Sequence, residues 1–403
     1  MRTPFFLASG LLALASLAAA APTLVNFDPA QDAVQPSLDL DRQGRAVVAW
    51  VEKTEGVYKA YVRRWEGSGW KRLGGALNRE AAWNASYALV RVAPDGQPVA
   101  AWTEKNPVFQ GKLAGNGKLY AVRWDGQVWQ ALGDSPSNSP LTTSDIPRMA
   151  LDPQGNPYLQ WSEMTPDFNG DSVYVERWTG LEWQPVDNGS LSTDISGSSR
   201  SRDIAVNSKG QAVLAWSIQL YKEGEGPLGF NVYAGTWGGK NWIPFGQSLN
   251  ADPYNYAAGV SVAVDRQDRP VVAYHEAGGG KGYNVYVKRW EGNRWVQFGP
   301  SVNALSGGGS QPKVVLDARG NPVVGWLENA GRLELRVARW DGKQWVRLGP
   351  AVSTNEAAAF SLAMGPDDRP LVAWHEGRDG QRRVFVARWS GRFQGPEVDD
   401  GGC

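Results

Sequence analysis

Six glutamates follow, two residues on, an aromatic that closes an apolar run: Glu52, Glu104, Glu163, Glu276, Glu328 and Glu376, with Ile218 at the seventh such place. A ring of carboxylates could hold a cation or supply an acid and a base. The spacing argues against both. On neighbouring packed sheets equivalent residues stand ~10 Å apart, whereas calcium takes oxygens at ~2.3–2.6 Å and paired glycosidase carboxylates lie roughly 5–9.5 Å apart. A residue repeated sixfold suits a job that every repeat has, such as accepting hydrogen bonds from its neighbour, and these six are read as structural carboxylates. Six arginines recur as well (Arg64, Arg123, Arg177, Arg289, Arg339, Arg388), with Thr236 in the fourth repeat. Hairpin register places each at the end opposite the glutamate. The expected partner is an aspartate in a turn on the arginine's own side: Asp41, Asp152, Asp265 or Asp317, replaced by Asn207 in the same fourth repeat.

The two histidines, His275 and His375, fill the slot between aromatic and glutamate in repeats five and seven. One repeat separates them, and no third nitrogen or sulfur ligand is at hand, so the sequence points to no metal site. No nucleophile elbow, phosphate loop or zinc-protease motif occurs. No residue is assigned a catalytic role and no cofactor is expected. The acids and bases outside the repeat pattern are Asp171, Arg200, Arg202, Asp203 and Asp252.

The elements that carry these residues are repeats. YVRRWEGSGW (61–70), YVKRWEGNRW (286–295) and RVARWDGKQW (336–345) are variants of one phrase, preceded by a turn and a Val/Ala run as in GNPVVGWLE (320–328). The run-ending aromatics, Trp50, Trp102, Trp161, Trp216, Tyr274, Trp326 and Trp374, are 52, 59, 55, 58, 52 and 48 residues apart. Seven repeats result, at about 35–78, 86–134, 147–188, 202–250, 260–303, 311–353 and 359–398. Each reads as four short strands, A to D. Asp-Gly or Glu-Gly joins C to D in four repeats, where a tight hairpin needs positive φ. Seven repeats of four antiparallel strands predict an all-β chain folded as a seven-bladed β-propeller. Leu24-Val25-Asn26 resembles the segment after strand D elsewhere, and strand D of the last repeat is degraded. The N-terminal segment is therefore expected to complete the outer edge of the last blade.

The stretch VYVKRWEGNRWVQF (285–298) resembles the second half of a kelch repeat, and the turn position resembles the Asp-box repeats of sialidase-like propellers. Kelch repeats end strand B on two glycines where this chain has Trp-x-Glu. An Asp box wants aspartate two residues before the glycine, where Trp65, Trp124 or Trp290 stands here. The resemblance implies a propeller of bacterial, secreted type and transfers no activity.

Residues 1–20 read as a signal peptide, with Arg2, an apolar core and cleavage after Ala20. No lipobox or membrane-spanning stretch follows, so residues 21–403 are expected as one secreted or periplasmic propeller domain. Forty-one basic and 41 acidic residues leave no net charge, which argues against a nucleic-acid partner. The single cysteine, Cys403, cannot close an internal disulfide but could link a dimer.

Turns A–B and C–D are nearly constant in length and share one face. The B–C loops and D–A linkers vary and share the other, which is where binding sites are usually placed. Nineteen of the 20 tryptophans fall on repeat positions, so Trp83, which does not, leads the ligand-binding candidates. Phe109, Phe168, Tyr221, Phe230, Tyr254, Tyr256, Tyr283 and Phe360 complete the set, all expected in loops or linkers of the variable face. The leading expectation is a non-catalytic binding propeller for a glycan, an envelope polymer or an extracytoplasmic protein. A sialidase-like glycosidase or lyase, and a structural envelope scaffold, stay open.

Overall fold

The computed structural model describes residues 19–106, 117–136, 144–164, 171–186, 201–222, 226–278, 282–303 and 308–390. They form seven four-stranded antiparallel sheets, and the chain is a seven-bladed β-propeller. Blade one runs outward through Ala33–Leu40, Ala46–Thr54, Val57–Trp65 and Trp70–Arg72. The inner strands of blades two to seven are Asn84–Val92, Ser144–Leu151, Ser201–Val206, Ala257–Val264, Gly309–Leu316 and Ala357–Met364. All seven line one central channel.

Inner strands begin up to three residues before the alternating pattern becomes legible. In most blades a bulge interrupts the pairing there, as between Val34 and Ser37 and between Ser310 and Lys313. Gln35 and Gln311 take φ of 55° and 51° at these bulges, which breaks the period of two.

The hairpins pair as their turn residues dictate. Glu55-Gly56 turns with φ of 53° and 83° and sets Trp50 opposite Tyr61. In blade seven Trp374 faces Phe385, ring centroids 5.7 Å apart. Such cross-strand pairs contribute roughly 0.2–1 kcal/mol each. Burial between blades contributes more: Trp50, Trp102, Trp161, Trp326 and Trp374 are essentially inaccessible, each within a cluster that joins two neighbouring sheets. Truncating one to alanine costs roughly 3–5 kcal/mol.

The ring is closed by Thr23–Leu24, which pairs with Arg383–Arg388 as the fourth strand of blade seven. Of the expected leader only Ala19 and Ala20 are described. Ala19 bridges Trp389, and Ala20 donates its N–H to the Arg388 carbonyl. Asp32 braces the seam from within. It accepts the Tyr58 hydroxyl and the backbone and side-chain N–H groups of Arg382. Burial alone would raise the Asp32 carboxyl, but these bonds outweigh it and hold it at about 2.

Elsewhere four outer tryptophans lock onto the preceding blade: Trp129, Trp183, Trp295 and Trp345 donate Nε1 to the carbonyls of Leu73, Leu132, Phe245 and Phe298. At the seam Trp70 Nε1 is buried without an acceptor among the described residues. Leu24 stands where five other blades carry glycine (Gly74, Gly133, Gly246, Gly299, Gly349) and blade three carries Asp187. A Cβ on Gly74 would lie 2.8 Å from Trp129 Cδ1, so glycine there lets the tryptophan approach closely.

Candidate functional site

The recurring carboxylates are tied into the frame. Glu52 accepts Trp50 Nε1 at 2.8 Å and the backbone N–H groups of Phe27 and Asp28. Glu104 accepts Trp102 Nε1 and the N–H groups of Arg79 and Glu80. Glu276 and Glu376 hold the linkers at Ala251–Asp252 and Thr354–Asn355 in the same way. Trp161 and Trp326 donate to Glu163 and Glu328. Among the described contacts, five of the six carboxylates thus accept their own blade's tryptophan, and Glu52, Glu104, Glu276 and Glu376 also take the chain arriving from the preceding blade. Burial pushes the Glu104 carboxyl up. At Glu376 burial is outweighed by bonds from Thr354 and Trp374, which bring it below its usual range.

The arginine pairing holds only in part. Arg177 meets Asp152 at 2.9 Å and Arg339 meets Asp317 at 2.6 Å, as expected. In blades one and five the turn aspartates go instead to Arg45 and Arg269, four residues on, while Arg64 and Arg289 turn to Glu66 and Glu291. The reason is local. Blades three and six carry Asn156 and Asn321 four residues after the aspartate, and no cation competes for it.

The histidines act between blades. Nδ1 of His375 accepts the N–H of Gln35 at 3.2 Å, and Nδ1 of His275 accepts that of Gln311 at 3.4 Å. Each thereby satisfies the bulge of the next inner strand. Both rings are buried, and burial lowers both to about 4.

Four of the ligand-binding candidates come together on the variable face. Phe230 packs on Tyr256 at 5.1 Å and Tyr256 on Tyr283 at 5.8 Å, with His275 4.7 Å from Tyr283. Tyr254, in the same linker as Tyr256, is 67% exposed, and Tyr283 is 37% exposed. Beside them rises the hairpin with the longest strands among the described residues, Ala212–Lys222 with Gly226–Trp237. It runs three residues further past the Glu-equivalent Ile218 than the blade-six strand Pro322–Asn329 runs past Glu328, which adds ~10 Å. Gly229 lets it lie against the linker, since a Cβ there would sit 2.9 Å from the carbonyl oxygens of Tyr254 and Asn255.

The other candidates do not join this group. Trp83 stands in the linker between blades one and two, half-buried, with Lys118 Nζ 5.9 Å from its ring. Phe360 is a correction: it lies in the inner strand Ala357–Met364, 7% exposed, facing Gly325 of blade six. It replaces the linker placement because blade seven's linker ends earlier than its sequence suggests. Phe230 and Tyr283 also stand in strands, at the loop ends of hairpins. Phe109 and Phe168 lie outside the described residues, as do Arg200, Cys403 and the side chains of Tyr221 and Asp171. Asp252 is a turn residue whose Oδ1 accepts the Tyr254 N–H.

Arg202 and Asp203 line the channel, together with charges that sequence reasoning passed over: Asp39, Arg91, Arg148 and Lys313. They become visible when the inner strands are aligned on their turns. Ser37, Leu89, Arg148, Asp203, Ser261, Lys313 and Ser361 share one column, in which an oxygen accepts an N–H of the next inner strand: Ser37 from Val90, Asp203 from Val262, Ser261 from Val314 and Ser361 from Leu38. Among the described residues no group of three or more His, Cys, Asp and Glu side chains is placed to hold a metal ion, and no helix is long and apolar enough to cross a membrane.

No protein-family model and no curated protein matches the chain. Solved structures do match in shape. An ulvan lyase, a polysaccharide lyase, superposes with a TM-score of 0.56 at 15% identity over 91% of this chain and 93% of its own. An α-L-arabinanase of Penicillium chrysogenum gives 0.51 at 13% identity over 92% and 98%. A protein of unknown function from Dyadobacter fermentans gives 0.55 at 12% identity over 92% and 98%. At these identities the likeness is one of fold, the propeller.

Proposed function

We propose that this chain is a glycan-binding propeller acting outside the cytoplasm, with its contact surface on the loop-bearing face between blades four and five. The observation that carries the reading is the exposed Tyr254 ring beside the packed Phe230–Tyr256–Tyr283 group, under the wall of the long hairpin. Flat rings with a polar tip, held by packing behind them, offer area at low entropic cost. The carbohydrate-active propellers among the structural neighbours support the ligand class. The test is binding of the purified protein to a glycan array, with Tyr254→Ala and Tyr283→Ala. Specific binding that both variants lose supports the proposal. A blank array with folded protein, or binding untouched by either change, refutes it.

A glycosidase or lyase is the second reading, favoured by Arg202 and Asp203, which break the repeat and stand on inner strands. Turnover of any array ligand, abolished in Asp203→Asn, would replace binding by catalysis.

A further inference from the structure

The channel holds about 1030 Å³, and its charges are not balanced. Four cations line it, Arg91, Arg148, Arg202 and Lys313, against two carboxylates, Asp39 and Asp203. Both carboxylates are already engaged by backbone. Asp39 accepts the N–H groups of Leu40 and Val92 at 2.8 Å, and Asp203 accepts that of Val262 at 3.1 Å. The cations have poor partners in return. Arg148 reaches Asp203 only at 3.9 Å and otherwise donates to the Pro147 carbonyl, and its Nε is buried without an acceptor among the described residues. Arg91 donates to the Val90 carbonyl at 2.8 Å, reaches Ser37 Oγ only at 3.5 Å, and acts on Asp39 through its charge alone. Lys313 Nζ makes no hydrogen bond or ion pair with any described residue.

Arg148 and Lys313 also occupy the column that elsewhere carries serine or aspartate as an inter-blade acceptor. Neither can accept, so each gives up that bond and places a cation in a narrow, partly desolvated space. Burial, with repulsion from Arg148 and Arg91 against the pull of Asp203, lowers Lys313 to about 8. Unfilled donors and surplus positive charge in such a space favour an anion that accepts several hydrogen bonds at once.

We propose that the channel binds one oxyanion, a sulfate or a carboxylate, between Lys313 and Arg148, with Arg91 next along the channel toward the A–B turns. This site is independent of the aromatic face: either can fail without the other. The anion is either a free inorganic ion or the acidic group of a sugar that enters the channel.

The test is calorimetric titration at constant ionic strength with sodium sulfate and, separately, with sodium glucuronate. The wild-type protein is compared with Lys313→Ser, Arg148→Ser and the surface control Lys343→Ser. Serine is the residue this column carries in blades one, five and seven, so the variants are expected to fold. One anion per chain is expected, weakened about tenfold or more by either channel change and unaffected by Lys343→Ser. Tighter binding of glucuronate than of sulfate would assign the site to an acidic sugar, and the reverse to an inorganic oxyanion. Absence of binding to the wild type, or wild-type affinity in both Lys313→Ser and Arg148→Ser, would overturn the proposal.

Discussion

The two histidines make the ring's stability depend on pH in a window that can be stated in advance. His275 and His375 are 7% and 4% exposed, and each must be neutral at Nδ1 to accept the N–H of the next blade's bulge. Burial lowers both from 6.5 to about 4. Between those values the unfolded chain takes up protons that the folded chain refuses, so stability rises with pH. The contribution is complete above about 6.5 and is lost as pH falls through about 4. The gap is worth roughly 3–4 kcal/mol per histidine, or about 7 kcal/mol for the pair. Buried carboxylates change with pH too, and the comparison that isolates the histidines is with His275→Leu/His375→Leu, leucine being the blade-six residue at this place (Leu327). The double variant loses two acceptors and is less stable at pH 7 by about 1–3 kcal/mol per site. Its guanidinium unfolding free energy should then fall less than that of the wild type between pH 7 and 4, the difference approaching the pair's contribution. With only two histidines in the chain, ring-labelled NMR adds a direct reading, in which neither signal titrates above about pH 5 while the protein is folded. Equal pH dependence in wild type and double variant, or a histidine titrating near 6.5 in the folded state, would refute the reasoning.

Two further outcomes follow from the frame. Glu104→Gln turns an amide toward the donors of Trp102, Arg79 and Glu80; it should cost about 2–4 kcal/mol in chemical denaturation, and a loss within about 0.5 kcal/mol would show that the carboxylate does not hold the linker. Beginning the chain at Val25 removes the strand that pairs with Arg383–Arg388 and exposes a sheet edge; a lower melting temperature and higher-order species in light scattering are expected, and an unchanged monomer would contradict closure by this strand.

What was legible in the sequence was whatever a single hairpin encodes. Glu55-Gly56 demands positive φ and thereby sets Trp50 against Tyr61, and the same logic, repeated seven times, yields the blades. Closure by residues near Thr23 was legible too, because a missing strand at one end of the chain had a matching segment at the other. What escaped was the chemistry between blades, where partners stand about 50 residues apart and no turn fixes their register. The swap of Asp41 and Asp265 onto Arg45 and Arg269 depends on one competing side chain at the turn's end. The channel cations escaped for a different reason. On a period-two strand Arg148 and Lys313 read as ordinary solvent-facing residues, and only ring closure turns that solvent into an enclosed space. The same geometric fact raises their functional interest. A charge on an open surface is hydrated at little cost, whereas one facing a channel persists only if something else compensates it. In blades one, four, five and seven this level carries instead an oxygen bonded to the next blade's N–H, serine in three and Asp203 in the fourth. At Lys313 no described group supplies it, and the donors are left directed at whatever enters the channel.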